Sequence, residues 1–161
     1  MSGLPPVSGE AIQREGEIVS RYDPLTDHTK TEFLARVDAR QMSGLHLYAY
    51  FVYPGQRAVQ VSDAYLGFVS IANSRQLEGV HALTLLVGGQ LRRFTPLSYS
   101  FAPSAAGSIE LLLLTSTFTR DELLGWVDSQ DVEVRLESGA DFKLTEKHIS
   151  LLRELALRMT P

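Results

Sequence analysis

The chain has 161 residues, of which 44% are hydrophobic and 21% charged, and its formal net charge is −4. The acidic balance, with Arg92-Arg93 as the single adjacent basic pair, excludes an electrostatically driven nucleic-acid surface. The absence of cysteine excludes thiol catalysis, thiolate metal sites and disulfide bonds.

The N-terminal residues 1–15 carry Pro5-Pro6 and small residues without periodicity, which predicts a flexible arm. They show no basic start followed by an apolar run, so we predict no signal peptide. The densest apolar run, IELLLLTSTF, is too short to cross a bilayer. We therefore expect a soluble protein without membrane insertion, cytoplasmic as the sequence stands. Export stays open if a leader has been removed upstream.

The first half of the chain predicts four strands separated by turns. Phe33, Ala35 and Val37 alternate with Glu32, Leu34 and Arg36, as in a half-buried strand. Turns are predicted at Pro24, at the MSG segment and at Pro54-Gly55. The four strand segments are GEIVSRYD, KTEFLARVDAR, LHLYAYFVYPG and AYLGFVSIANS.

The next segments continue the strand pattern. Gly88-Gly89 divides VHALTLLVGGQLRRF into two strand-like runs and predicts a hairpin. The segment SYSFAPSAAGS begins extended and ends in a small-residue loop. The apolar character of IELLLLTSTF on both faces predicts a central strand that is covered on both sides.

Two segments change to a helical period. Thr119 and Glu122 form a T-x-x-E capping box that predicts a short helix carrying Trp126. The segment DVEVRLESGADFKL predicts a hairpin that turns at Ser138-Gly139. Thr145 then caps a predicted amphipathic helix at 146–159, whose apolar stripe is Ile149, Leu152, Leu155, Ala156 and Met159.

Together these elements predict a mainly β fold. We expect an antiparallel β-sandwich of about eight or nine strands with a short connecting helix and a C-terminal amphipathic helix. Residues 16–161 form one domain in this prediction, because the length suits a single core. The lack of strand–helix alternation argues against a parallel doubly wound sheet.

The order of several motifs resembles a family of uncharacterised bacterial proteins. The motifs are YDPLTDHTKTE, YAYFVYPG, LLVGGQLRRF and DFKLTEKHISLLRELALRM, and they span nearly the whole chain. The resemblance implies a Tyr-Asp turn, then a β-sandwich, then a terminal helix that follows a short hairpin. The family brings no established activity and no catalytic residues.

The turn SRYDPLTDHTKTEF contains the strongest candidates for chemistry, Asp23, Asp27 and His28. Two carboxylates and an imidazole can bind a metal ion or transfer protons. Aspartates around a proline also accept backbone N–H bonds in turns, and we favour that interpretation. We therefore predict a structural turn in which Asp23 or Asp27 accepts backbone N–H bonds, with no bound metal.

An aromatic patch is the second candidate. His46, Tyr48 and Tyr50 project from one face of a strand, and Tyr65 begins a strand nearby. The patch could stack on a sugar or contact a protein. We favour cross-strand packing beneath the terminal helix as its role.

No motif predicts catalysis: the sequence holds no G-x-S-x-G elbow and no phosphate loop. We predict no cofactor and no catalytic residue. The expected function is a non-enzymatic interaction or structural module with an unknown protein partner or self-association. The alternatives are a small metal-binding protein or enzyme that uses the Asp23, Asp27 and His28 turn, and a small-molecule binder with a pocket between helix and sheet.

Overall fold

The computed structural model of the chain describes residues 7–104, 107–137 and 139–161. These residues form ten strands in two antiparallel sheets, together with three helices. The strand segments predicted from the sequence therefore contain ten strands, not eight or nine. The elements are α1 (Gly9–Gln13), β1 (Ile18–Asp23), β2 (His28–Arg36), β3 (Leu45–Pro54), β4 (Tyr65–Ala72), β5 (Leu83–Val87), β6 (Gln90–Phe94), β7 (Leu97–Ser104), β8 (Gly107–Leu114), α2 (Arg120–Ser129), β9 (Val132–Leu136), β10 (Asp141–Lys143) and α3 (Glu146–Arg158).

The larger sheet has six strands in the order β1-β2-β3-β4-β8-β7. Alternation gives it two faces, which β3 illustrates. Leu47 and Phe51 lie on the inner face, where they join the main hydrophobic cluster. Tyr48 and Tyr50 lie on the outer face, where they join a second cluster. Both faces of this sheet are therefore buried over its central strands.

The smaller sheet has four strands in the order β10-β9-β5-β6. The predicted hairpin between β5 and β6 is present, and Gly88 and Gly89 have φ angles of 57° and 85°. Left-handed backbone at both central residues is what a two-residue turn requires, and glycine adopts it without a Cβ clash. The hairpin of β9 and β10 is also present. Ser138 at its predicted turn and the predicted loop residues 105–106 lie outside the described residues.

The main hydrophobic cluster contains side chains from both sheets and from α2 and α3. Phe68 of the larger sheet and Phe142 of the smaller sheet have ring centroids 5.6 Å apart. Trp126 packs edge-on against Phe118 at 5.0 Å. Trp126 is buried, so it anchors α2 in the core.

The terminal helix α3 docks through its apolar stripe, as predicted. Leu152, Leu155 and Ala156 are fully buried, and each large apolar side chain contributes about 1.5–3 kcal/mol through burial. Thr145 is its N-cap, as predicted, and His148 at the third helical position completes the cap. The Thr145 N–H donates to Nδ1 of His148 at 2.9 Å, and His148 Nε2 donates to the Arg36 carbonyl at 2.7 Å. His148 thus fastens α3 to the end of β2.

The predicted N-terminal arm includes the short helix α1. Ser8 caps this helix by accepting the Ala11 N–H at 3.0 Å, and Ala11 is fully buried against the outer cluster. Five residues are too few to show a helical period, which is why the sequence pattern did not reveal the helix. The first part of the predicted arm, residues 1–6, lies outside the described residues.

Candidate binding cleft

A second hydrophobic cluster covers the outer face of the larger sheet. Its buried members come from α1 and from five strands, and they are Ala11, Val19, Leu34, Tyr48, Tyr50, Val69, Leu111 and Leu113. The aromatic patch predicted from the sequence lies here, and His46, Tyr48 and Tyr50 are buried rather than exposed. Tyr50 stacks on Tyr65 of the neighbouring strand, which is the cross-strand packing that was expected. The terminal helix belongs to the main cluster instead, so it does not cover them.

Glu32 is the charged centre of this outer face, with only 1% of its surface exposed. Oε1 of Glu32 accepts the Tyr48 hydroxyl at 2.9 Å and lies 3.4 Å from both Lys30 Nζ and the Ser8 amide nitrogen. Oε2 of Glu32 has no hydrogen-bond partner among the described residues. A buried acceptor without a donor costs about 1–3 kcal/mol, and the described residues leave this carboxylate incompletely satisfied.

Lys30 lies two residues before Glu32 and on the same face of β2. Its Nζ stands 4.8 Å from the Tyr50 ring centroid and 5.3 Å from the Tyr48 ring centroid. Burial lowers the pKa of Lys30, and the Glu32 carboxylate partly offsets that effect. The lysine therefore supplies the cation that balances Glu32 and occupies the aromatic faces beside it.

Tyr65 extends the aromatic surface from the buried cluster toward solvent. Its ring stacks on Tyr50 with centroids 4.8 Å apart and an interplanar angle of 10°. Tyr65 is half-buried, whereas Tyr50 is buried. Burial raises the pKa of Tyr48 and of Tyr50, so both hydroxyls stay protonated at neutral pH.

These groups line a cleft of about 1130 Å³. Glu32, Lys30, Tyr50 and Tyr65 contribute from the strands β2, β3 and β4. The β1–β2 turn and the segment 59–63 before β4 also contribute side chains to it. The described lining includes no residue of α3, so the cleft differs from the helix–sheet pocket that the sequence suggested.

The β1–β2 turn keeps its acidic side chains in local hydrogen bonds. Asp23 Oδ1 accepts the Leu25 N–H at 2.9 Å, the backbone bond predicted for this turn. Asp27 has a left-handed φ of 54° and accepts the Tyr22 hydroxyl at 2.7 Å. His28 Nδ1 lies 2.6 Å from the carbonyl oxygen of Thr26, to which it donates.

The structure therefore keeps two of the three predicted candidates together and places the third apart from them. Asp23 and His28 face each other across β1 and β2 and line the cleft, whereas the carboxylate of Asp27 is bound to Tyr22. In the part of the chain that the structure describes, no group of three or more His, Asp or Glu side chains is placed to hold a metal ion.

Lys30 and Glu32 were not predicted as site residues from the sequence, whereas Tyr65 was named with the aromatic patch. Alternation along β2 placed Glu32 on a solvent face, but that face is buried by the outer cluster. The available signal was Leu34 on the same face as Glu32, together with Tyr48 and Tyr50 on one face of the following strand. An apolar and aromatic neighbourhood around a charged strand residue indicates a buried charge.

No family model, no curated protein and no solved structure matches the chain. The resemblance to a family of uncharacterised bacterial proteins therefore stays a prediction. Within the described residues, no helix has the length and apolar character needed to cross a membrane.

Proposed function

We propose that the chain is a non-enzymatic binding module whose ligand site is the cleft on the outer face of the larger sheet. The observation that carries this proposal is Oε2 of Glu32, a buried acceptor without a donor among the described residues, in a side chain that lines the cleft. Buried polar groups are nearly always paired in proteins. A ligand donor would complete the pairing, and a pocket with few polar groups and an aromatic wall is typical of small-molecule sites.

The electrostatics of the cleft support binding rather than proton transfer. Lys30 and Glu32 balance each other, and the raised pKa of Tyr50 keeps its hydroxyl neutral. A general base needs an accessible group whose pKa lies near the working pH. The groups that meet at Glu32 are instead held in fixed contacts with one another, which suits recognition.

The proposal includes a β-sandwich as the scaffold of the site. It is supported by the main hydrophobic cluster, in which side chains of both sheets contact each other. In such an arrangement, the inner core holds the larger sheet rigid. Rigid strands then fix Lys30, Glu32 and Tyr50 on the opposite face, and precise sites need such support.

A ligand screen tests this function. Saturation-transfer NMR with a chemically diverse set of small polar molecules should identify ligands of the wild-type protein. Tyr65→Ala should weaken them, since it removes the half-buried ring of the cleft wall. Tyr99→Ala is the matched control, because Tyr99 is also a partly buried tyrosine of the larger sheet but lies on the inner face.

The expected result is a group of ligands whose signals fall in Tyr65→Ala and persist in Tyr99→Ala. Thermal melts of both variants establish that each protein is folded at the temperature of the screen. A screen without any ligand that depends on Tyr65 would overturn the assignment of the cleft.

A further inference from the structure

We propose that the cleft binds a neutral polyhydroxyl ligand, namely a saccharide or a cyclic polyol. This inference rests on the proposed binding function and adds the chemical class of the ligand. Three properties of the cleft decide the class: its hydrogen-bond acceptor, its charge balance and its aromatic wall.

The acceptor requires a ligand with a donor group. Oε1 of Glu32 is already engaged by Tyr48 and Lys30, whereas Oε2 has no partner among the described residues. Hydroxyl groups donate to carboxylates in short, charge-assisted bonds. A ligand carboxylate or phosphate would instead place a second negative charge beside Glu32, and like charges repel strongly where water is scarce.

The charge balance argues against a cationic ligand. The lysine Nζ lies 3.4 Å from Oε1 of Glu32 and 4.8 Å from the Tyr50 ring centroid. The position that a ligand cation would take, next to a carboxylate and over an aromatic face, is thus held by the ammonium of Lys30. The other charged groups of the described lining are Arg21, Asp23 and Asp63. Together with Lys30 and Glu32 they give the lining two basic and three acidic side chains, so no large excess of either charge favours an ionic ligand.

The aromatic wall gives the ligand its shape. Tyr65 lies nearly parallel to Tyr50, and it is the more exposed ring of the stacked pair. A pyranose ring combines an apolar C–H face, which packs on such a ring, with hydroxyl groups around its edge. One uncharged molecule of this kind can contact Tyr65 and donate to Glu32 at the same time. The side chains of Gln60 and Ser62 provide further hydrogen-bonding groups in the cleft lining.

Three sugars that share one ring and differ in charge test the ligand class. Glucose, glucosamine and glucuronate are titrated into the wild-type protein and followed by NMR line shifts, with myo-inositol and adenosine as further probes. We expect glucose or inositol to bind at least about threefold more tightly than either charged sugar, because of the charge balance around Lys30 and Glu32. Adenosine is expected to bind more weakly than either.

Two variants locate the binding. Glu32→Gln should weaken the neutral ligand at least about tenfold, since it replaces a charged acceptor at Oε2 with an amide. Tyr65→Ala should weaken it roughly three- to tenfold through the lost ring contact. Glu110→Gln and Tyr99→Ala serve as matched controls that alter a buried glutamate and a partly buried tyrosine away from the cleft. Both controls should bind as the wild type does, with melts confirming that they are folded.

The outcomes separate this inference from the function on which it rests. Tyr65-dependent binding of adenosine, glucosamine or glucuronate without binding of the neutral sugars would overturn the ligand class and leave the binding module standing. Failure of every probe, together with a diverse screen that finds no Tyr65-dependent ligand, would overturn both. Binding of glucose that is unchanged in Glu32→Gln and in Tyr65→Ala would show that the sugar binds elsewhere.

Discussion

Two glutamates are buried in the larger sheet, Glu110 on its inner face and Glu32 on its outer face. Each accepts a tyrosine hydroxyl, Glu110 from Tyr99 at 2.8 Å and Glu32 from Tyr48 at 2.9 Å. They differ in their remaining partners. Oε1 of Glu110 accepts the N–H of Gln76 at 2.7 Å, and its Oε2 lies 3.1 Å from the Leu77 amide nitrogen.

The hydrogen-bond partners of a buried carboxylate distinguish a structural role from a binding role. Backbone donors from the β4–β5 connection satisfy both oxygens of Glu110, so this side chain acts as a structural clamp on the connection. The described donors to Glu32 are the Tyr48 hydroxyl, the Lys30 ammonium and, at 3.4 Å, the Ser8 N–H, and they all contact Oε1. Oε2 has no donor among the described residues. That difference assigns Glu110 to stability and makes Glu32 the candidate for binding.

The largest expected effect is the loss of the clamp. Glu110→Ala leaves the N–H groups of Gln76 and Leu77 and the Tyr99 hydroxyl without their acceptor. At about 1–3 kcal/mol for each unsatisfied buried donor, we expect the free energy of unfolding to fall by about 3–5 kcal/mol. Urea denaturation monitored by Trp126 fluorescence measures this change. A loss below about 1 kcal/mol would show that the connection does not depend on Glu110.

Two buried histidines, His148 and His46, make the stability of the fold depend on pH. Both ring nitrogens of His148 contact backbone groups, whereas Nδ1 of His46 on the outer face has no partner among the described residues. Burial lowers the pKa of both imidazoles. As the pH falls, the histidines of the unfolded chain take up protons before those of the folded chain. The stability that the two neutral imidazoles contribute is therefore fully present above the ordinary histidine pKa of about 6.5. It is lost as the pH falls from there through the lowered pKa of the folded state.

His148→Ala tests this pH dependence. At pH 8 the variant should lose about 2 kcal/mol, because Thr145 N–H and the Arg36 carbonyl both lose their partner. Between pH 6.5 and pH 5 it should lose less further stability than the wild type does, and His46 accounts for part of the remaining slope. Urea titrations at several pH values check both expectations. An identical slope in variant and wild type would contradict the role of His148.

Removing the tyrosine hydroxyl that donates to each glutamate should change stability by a smaller amount. Burial and the bond to Glu110 raise the pKa of Tyr99 to about 12, so this hydroxyl stays protonated at neutral pH, as that of Tyr48 does. Tyr99→Phe leaves Glu110 with two backbone donors and should cost about 1 kcal/mol or less. Tyr48→Phe removes the shortest contact of Glu32 and should cost about 1.5–2 kcal/mol. Thermal melts of both variants compare them, and the reverse order would contradict the assigned partners.

Much of the fold could be predicted because its signals are local. The capping box of Thr119 and Glu122 is present at the start of α2, with the Glu122 N–H donating to Thr119 at 3.2 Å. Alternation predicted β2, since period two depends on neighbouring residues alone. The order of strands in the two sheets could not be predicted, because β4 pairs with β8 across some forty residues. Neither segment contains a local signal that identifies the strand with which it pairs.

The candidate site was less predictable for the same reason. Placing Tyr48 and Tyr50 on one face was correct, but their exposure depends on α1 and on neighbouring strands. Glu32 meets this pair only through the β2–β3 register, in which Glu32 lies opposite Tyr50. A charge in an alternating strand normally faces solvent. In the larger sheet both faces are buried, so the charge of Glu32 is buried as well. This burial depends on tertiary packing, which the strand pattern does not contain.

The smallest expected change in stability belongs to Glu32→Gln. This variant tests whether Glu32 and Glu110 have different roles. Glutamine keeps the shape of the side chain and an acceptor for the Tyr48 hydroxyl, while it gives up the charge pair with Lys30 and the charged oxygen without a donor. Lys30 lines the open cleft, so its ammonium can be solvated once the pairing is lost. Because the lost pairing and the relieved burial of the carboxylate then oppose each other, we expect the free energy of unfolding to change by less than about 1 kcal/mol. Binding of the neutral saccharide should nevertheless fall at least about tenfold. Glu110→Gln is the matched variant and should show the opposite pattern, a larger loss of stability with unchanged binding. Urea denaturation and NMR titration of the two proteins under one buffer condition measure both quantities. If Glu32→Gln destabilises the fold as much as Glu110→Gln does and leaves binding intact, then both glutamates are structural clamps.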